Sequence, residues 1–465
     1  MTVAKTTTKT RSRATTKGRL ALDIHRRVLP NGLTLLATRN RAAPTIAIRC
    51  QLEVGRLNEP RERAGIASML GDCLDEGTEK HTGDELAEIV EGLGGSLRCG
   101  SSGAMVRFAA EDAKAAIDIL AEVVRTPTFP SVEVRRAKSL ALADIAADDD
   151  NPSTVAFKRY RELCYGDHPF SRDAKGTRET IDTLTSANLR AFHKKWFTPD
   201  NARIAAVGDL DPEAMLDLLS RAFSSWKGKA PVVESFDMPA NPPAPLHQHI
   251  RFDREQAHVY LGHLGVTRLD DDYYKLVVMD HILGSGPGFT SRITRKLRDE
   301  QGLCYSVFAG ISGSADRERG LFTAYIGTSP GKEAVAIEGF LQEMRAIRET
   351  LPTETEIADV KAYLTGSFVW ALERNSNLAA FLLRSERFGL GDDFVARYPD
   401  LIESVTRQDV RDAAERHLDP DHYYLVTLGR AESDSPKTSG SRKRTTKSKA
   451  SKPKATPKKK KAKKR

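Results

Sequence analysis

Apolar residues along this chain fall into two rhythms, and the alternation between them outlines the fold. Leu29-Pro30-Asn31-Gly32-Leu33 is a hairpin signal, because an Asn-Gly pair supplies backbone with positive φ, and the apolar run of residues 33–37 follows it. Residues 45–54 read as a second strand. The spacing then turns helical over residues 64–74, 83–93, 113–124 and 132–145, and Gly94-Gly95 closes the second of these. Strands and helices without regular βαβ alternation predict an α+β fold with largely antiparallel sheets and helices packed on them.

The pattern occurs twice. Residues 185–208 (TSANLRAFHKKWFTPDNARIAAVG) align without a gap to residues 406–429 (TRQDVRDAAERHLDPDHYYLVTLG), an offset of 221. Both read as a helix, a Pro-Asp turn (Pro199-Asp200 and Pro420-Asp421), a buried strand and a glycine. Leu189 matches Val410, Ile204 matches Leu425 and Val207 matches Leu428. So long an offset exceeds solenoid periods and predicts two homologous domains. Between them Pro231, Pro239, Pro242, Pro243 and Pro245 forbid a helix or central strand, so residues 229–248 read as a linker. The expected order is a basic disordered arm (1–20), a first domain (21–228), the linker, a second domain (249–430) and a Lys-rich disordered tail (431–465).

Composition supports that division. The chain has 465 residues, 40% hydrophobic and 29% charged, a soluble balance that predicts two to three domains. No apolar run approaches the roughly 18 residues needed to span a bilayer. The formal net charge of +9 is distributed unevenly. Residues 431–465 hold 15 Lys and Arg against Glu432 and Asp434, and residues 1–20 hold six basic groups and no acid. The intervening body is therefore acidic, at about −10. The segment 435–465 has no large apolar residue, so it reads as a solubilising tail or as a non-specific docking arm for nucleic acid or another anionic surface. Cys50, Cys73, Cys99, Cys164 and Cys304 are odd in number and form no CxxC pair, which predicts reduced thiols and a cytoplasmic setting. The N-terminus lacks the apolar stretch of a secretory signal.

Candidate chemistry lies in residues 64–82 (AGIASMLGDCLDEGTEKHT). This segment resembles the inverted-zinc-motif helix of the pitrilysin/insulinase metallopeptidase family, whose frame is G-[LI]-A-H-x-x-E-H-x-x-F-x-G-T. Gly65, Ile66, Ala67, Gly77 and Thr78 fit the frame. In the family two histidines on one helix face hold zinc and the glutamate between them is the general base. Those positions here are Ser68, Gly71 and Asp72, and the family's third ligand aligns with Asp144. Two carboxylates and a hydroxyl are a weak, unselective donor set for zinc, so no metal is expected in this chain. No HxxEH or HExxH occurs elsewhere among the 11 histidines; His247, His249, His258 and His263 read as structural or solvated.

Three more segments resemble the family: residues 163–177 (LCYGDHPFSRDAKGT), 196–209 (WFTPDNARIAAVGD) and 283–307 (LGSGPGFTSRITRKLRDEQGLCYSV). The likeness runs over about residues 24–430 and points to the mitochondrial-processing-peptidase-like branch. In the last segment Arg298 and Tyr305 match an arginine and a tyrosine that complement a zinc-bearing half. The resemblance implies that Arg298 holds substrate backbone and Tyr305 stabilises the tetrahedral oxyanion. Residues 289–300 read as an amphipathic helix, with Ile293 and Leu297 on one face and Gly302 as a left-handed cap. Taken without the resemblance, Arg298 would cap helix carbonyls and Tyr305 would fill a strand. The glycine-rich residues 284–288 lack the Lys-Ser/Thr of a phosphate loop and read as a turn or substrate-side loop.

The resemblance implies the non-zinc subunit of a two-subunit peptidase, with zinc and general base on a homologous partner and a peptide as substrate. A purely structural subunit, and a scaffold whose basic tail binds nucleic acid, are the other readings. Deleting residues 435–465 is expected to leave the melting temperature unchanged while lowering non-specific DNA binding and its salt dependence. A large loss of thermal stability would show instead that the tail packs on the body.

Overall fold

A computed structural model of the chain describes residues 22–286 and 290–430. The arm of residues 1–20 and the tail of residues 431–465 lie outside the described residues. The first half contains β1 (His25–Val28), β2 (Thr34–Arg39), β3 (Thr45–Leu52), α1 (Ile66–Gly71), α2 (Gly83–Gly92), β4 (Ser96–Gly100), β5 (Gly103–Ala109) and α3 (Ala113–Arg125). It continues through α4 (Ser131–Asp149), α5 (Pro152–Tyr165), α6 (Arg178–Thr183), α7 (Ser186–Trp196), β6 (Ala202–Gly208) and α8 (Pro212–Phe223). The second half contains β7 (Leu246–Arg251), β8 (Ala257–Leu264), α9 (Tyr273–Leu283), a π-helical segment (Thr294–Glu300), β9 (Cys304–Gly310) and β10 (Leu321–Thr328). It ends with α10 (Glu333–Glu349), α11 (Glu354–Ala371), α12 (Asn375–Phe388), α13 (Phe394–Glu403), α14 (Arg407–His417) and β11 (Tyr424–Gly429).

The two sheets have the order β1-β2-β6-β3-β5-β4 and β7-β11-β8-β10-β9. All pairs are antiparallel except β2 with β6 and β7 with β11, so the α+β expectation holds. The duplication is visible in this topology. β6 and β11 each lie between one parallel and one antiparallel neighbour, and each follows a helix, α7 or α14, entered through the same capping box. Thr185 and Thr406 cap those helices, with Asn188 and Asp409 reaching back to the cap backbone.

Local expectations are met with small shifts. The β1–β2 hairpin turns through Gly32, the residue that takes positive φ (+93°). Chain 227–245 forms neither helix nor strand. The linker read as 229–248 ends earlier than expected, because Leu246 already pairs in parallel with Tyr424 of β11. The helix expected over 289–300 is a wider π-helical turn from Thr294, with Gln301 N–H donating to Lys296 O, five residues back. Residues 287–289 lie outside the described residues.

Each sheet is covered on its inner face by its own helices and on the other by a helix from the opposite half. Tyr160 and Cys164 of α5 are buried with Tyr260, Tyr424 and Val426 of the second sheet. Leu378, Phe381 and Leu382 of α12 are buried with Leu36, Ala205 and Val207 of the first sheet. Tyr160 donates its hydroxyl hydrogen bond to the Phe322 carbonyl inside the second sheet. Room for that ring exists because residue 262 is glycine: a Cβ there would lie 1.9 Å from Phe322 O and 2.2 Å from Tyr160 Oη. On the other side Asn375 donates to Thr45 O (3.2 Å), and Arg387 pairs with Glu53 (2.8 Å).

Gly262→Ala should therefore unseat the exchanged helix α5. We expect a loss of about 2 kcal/mol or more, read by urea denaturation, with both halves unfolding less cooperatively. Unchanged stability would show that α5 is not tightly seated.

Candidate functional site

Two surfaces carry the residues that the sequence singles out, one in each half. On the first, α1 starts at Gly65, whose φ of +90° lets residues 175–176 cross closely over the helix start. The buried Glu59 carboxylate accepts from Gly65 N–H (3.1 Å) and Ala67 N–H (3.0 Å), anchoring the helix N-terminus. Ser68 of α1 and Asp72 at its C-terminal cap line, with Asp144 of α4, a cleft of about 550 Å³ that also takes in Asp75, Glu76, Arg136 and Lys175. Partial desolvation, with the like charges of Asp144 and Asp75, raises the Asp72 pKa above its ordinary value. Glu76 is paired with Arg136 (2.7 Å), and Asp148 with Lys175 (3.0 Å). Gly71 is buried against the β4–β5 turn, where a Cβ would lie 2.4 Å from Gly100 C and 2.5 Å from Ser101 N.

On the second surface, Arg298 and Tyr305 come together. They line one pocket of about 380 Å³ with Gly284, Ser285, Gly286 and Thr294. The Arg298 guanidinium carbon lies 5.3 Å from the Tyr305 ring centroid, and Tyr305 is 85% exposed. The π-helical turn bearing Arg298 is held from behind. Leu297 fills a notch in α10 where Gly339 has no side chain, Arg292 pairs twice with Glu356 (2.7 and 2.9 Å), and Lys296 pairs with Glu343 (2.8 Å). Gly302 closes the turn at φ +61°, and the chain enters β9 at Cys304. A cation and a phenol O–H donor thus meet at one solvent-open pocket.

Comparison with known proteins places these surfaces in one family. Residues 35–178 match the model described as Insulinase (Peptidase family M16), and residues 183–364 match the model described as Peptidase M16 inactive domain. The chain belongs to the M16 peptidase family. It is 27% identical over 415 residues to an uncharacterized zinc protease of Mycobacterium tuberculosis, a match spanning 88% of this chain and 94% of that protein. It is 26% identical over 360 residues to the uncharacterized zinc protease YmxG of Bacillus subtilis, spanning 76% and 86%. The crystal structure of a peptidase M16 inactive domain from Pseudomonas fluorescens superposes with a TM-score of 0.81 at 27% identity, covering 88% of this chain and 99% of that one. A protease from Helicobacter pylori shares the fold (TM-score 0.81, 18% identity, 88% and 100% covered).

Within the M16 frame the first surface does not fit zinc. It offers no imidazole or thiolate among its described lining residues, and the oxygen donors it has are partly engaged with Arg136 and Lys175. The base position is closed as well as vacated, since backbone fills the space that a side chain at 71 would enter. Among the described residues one group of three metal-type ligands converges elsewhere: Asp270, Asp272 and His417. Lys275 and Arg416 (both 2.8 Å) already neutralise Asp272 and hold its pKa well below the usual carboxylate range, which makes the group an ion-pair cluster. The histidines singled out in the sequence have structural partners. His247 and His249 bond Thr427 (2.8 and 3.0 Å), His258 bonds Tyr325 (3.1 Å), and His263 bridges Leu264 O and Asp419 N.

Sequence reasoning missed Asp280. It is 2% exposed, and its carboxylate accepts from Ile311 N–H (2.9 Å), Ser312 N–H (2.8 Å) and the Ser312 hydroxyl. Its backbone carbonyl accepts from Gly284 N–H (2.9 Å) and Ser285 N–H (2.7 Å). Asp280 therefore ties the glycine loop of the Arg298/Tyr305 pocket to the end of β9, and burial pushes its pKa up to about 6. The available signal was one acid inside the apolar stretch LVVMDHIL.

Rebuilding the family motif by Ser68→His, Gly71→Glu and Asp72→His should not create a stable zinc site. The side chain that Gly71→Glu introduces would collide with residues 100–101, so we expect a stability loss of about 3 kcal/mol and no tightly held zinc by elemental analysis. A well-folded triple variant retaining one zinc per chain would refute the closed-position argument.

Proposed function

We propose that this chain is the non-zinc subunit of a two-subunit zinc peptidase, lending Arg298 and Tyr305 to a catalytic centre whose zinc and general base belong to a homologous partner. The observation that supports this most strongly is an asymmetry. The first surface has lost both donors and space for metal chemistry, while the second holds a preorganised cation–phenol pair in an open pocket. The family's description of residues 183–364 as an inactive domain agrees with a partner-dependent role. Five free thiols suit a cytoplasmic setting, and no helix among the described residues is long and apolar enough to cross a membrane.

In this reading the substrate is a peptide. Arg298 grips a backbone carbonyl in both ground and transition states. Tyr305 donates its O–H to the scissile oxygen, most strongly once that oxygen bears negative charge. The pocket's fixed rear wall supplies the preorganisation that such donors require.

The experiment is reconstitution with the co-purifying zinc-bearing homologue. Tyr305→Phe is expected to lower kcat about 100-fold with normal assembly. Arg298→Ala should raise KM as well as lower kcat, because its contact also exists in the ground state. If both variants assemble and cleave like wild type, the chain is a structural subunit.

A further inference from the structure

A second cavity, of about 560 Å³, lies among α9, α11, α12 and α13, away from both surfaces described above. Its size falls within the range of small-molecule sites. Aromatic and aliphatic side chains form most of its wall, Tyr273, Tyr274, Phe381 and Tyr398 among them. Among the described residues no aspartate or glutamate lines it, although the globular body is acidic overall.

Arg268 also lines this cavity, and its environment is unusual for an arginine. The residue is 9% exposed, and among the described residues no carboxylate pairs with it. Its guanidinium carbon lies 3.8 Å from the Tyr273 ring centroid and 5.1 Å from that of Tyr274, and Nη2 donates to the Tyr274 hydroxyl (3.1 Å). Nη1 is buried without a hydrogen-bond partner. Ser385, from α12, lines the same cavity and has a buried hydroxyl that is likewise unpartnered. Arg384, the preceding residue, adds a second cation from a solvent-exposed position.

Burying a guanidinium without a counter-charge is expensive, and contact with tyrosine faces offsets only part of that expense. Two residues that line one aromatic chamber, with no acid among its described lining residues, thus each keep a buried donor without a partner, and the missing component is an anion with an apolar body. We infer that this cavity binds a small amphipathic carboxylate, its anionic end satisfying Arg268 and Ser385 and its apolar part lying among the tyrosines and Phe381. The site is separate from the Arg298/Tyr305 pocket and stands whether or not the chain serves a peptidase.

The test uses the full chain and 4-phenylbutanoate, with 4-phenylbutan-1-ol as the uncharged control. Calorimetric titration should show one carboxylate bound per chain, with the alcohol at least about 10-fold weaker, since charge-assisted hydrogen bonds are lost. Saturating carboxylate should raise the melting temperature. Arg268→Gln should abolish the preference for acid over alcohol. Ala380→Phe, which fills the cavity without touching the arginine, should abolish binding of both and serves if the Arg268 variant fails to fold. No binding by either ligand, equal binding of acid and alcohol by wild type, or undiminished binding by a folded Ala380→Phe variant would each overturn the inference.

Discussion

The exchange of α5 and α12 between the two halves is the constraint on which the rest of the structure depends. β6 and β11 are central strands, and burial of both faces requires a cover on each side of each sheet. Each half provides inner-face helices from its own sequence and surrenders one helix to the other's outer face. Neither sheet can keep both faces dry alone, so the two homologous halves pack as one body. The polar contacts follow the same crossing: Tyr160 reaches the second sheet's backbone, while Asn375 and Arg387 reach the first half.

That crossing also sets the positions of the two surfaces. The helix before α5 is α4, which carries Asp144 opposite Asp72, and the helix before α12 is α11, whose Glu356 holds Arg292 behind the Arg298 turn. Each of these helices leads directly into an exchanged one, so the wall it carries is tied in sequence to the crossing. The two walls use different parts of the repeated unit, α1 and α4 in the first half and the π-helical turn with β9 in the second, and they carry opposite chemistry. The first gathers Asp72, Asp75, Glu76 and Asp144 against Arg136 and Lys175, a net acidic set that disfavours a developing oxyanion. The second presents a guanidinium and a phenol, donors that attract one.

Much of this was legible in the sequence, for specific reasons. Thr185 and Thr406 announce the same helix start 221 residues apart, and the prolines of 231–245 interrupt every periodicity between the halves. Arg298 and Tyr305 were singled out by the resemblance of residues 283–307 to the family's segment, and the glycine-closed turn followed by a strand is compatible with the proximity of positions seven apart. The helix exchange was not legible, since the apolar stripe of α5 states that one face is buried but not beneath which sheet. The π-helical turn was also hidden. It accompanies the seating of Leu297 in the Gly339 notch, a contact between residues far apart in the chain. Asp280 was passed over because a lone acid in an apolar helix gains its meaning from the Ile311 and Ser312 amides that meet it.

Gly71 shows most clearly how packing constrains the first surface. Glycine stands at position 71, and the neighbouring turn is settled against it, with backbone atoms of residues 100–101 in the volume a side chain would enter. Close packing makes that settlement favourable, because an empty space beside a helix forfeits dispersion contacts that the turn restores. After it settles, any side chain at 71 meets main-chain atoms, which cannot step aside by changing rotamer. The first surface is therefore held in its present form by packing around α1 as well as by the identity of Ser68, Asp72 and Asp144. The Arg298/Tyr305 pocket is free of such packing: Tyr305 is exposed, and the ion pairs that hold the π-helical turn, Arg292 with Glu356 and Lys296 with Glu343, involve none of the residues lining the pocket.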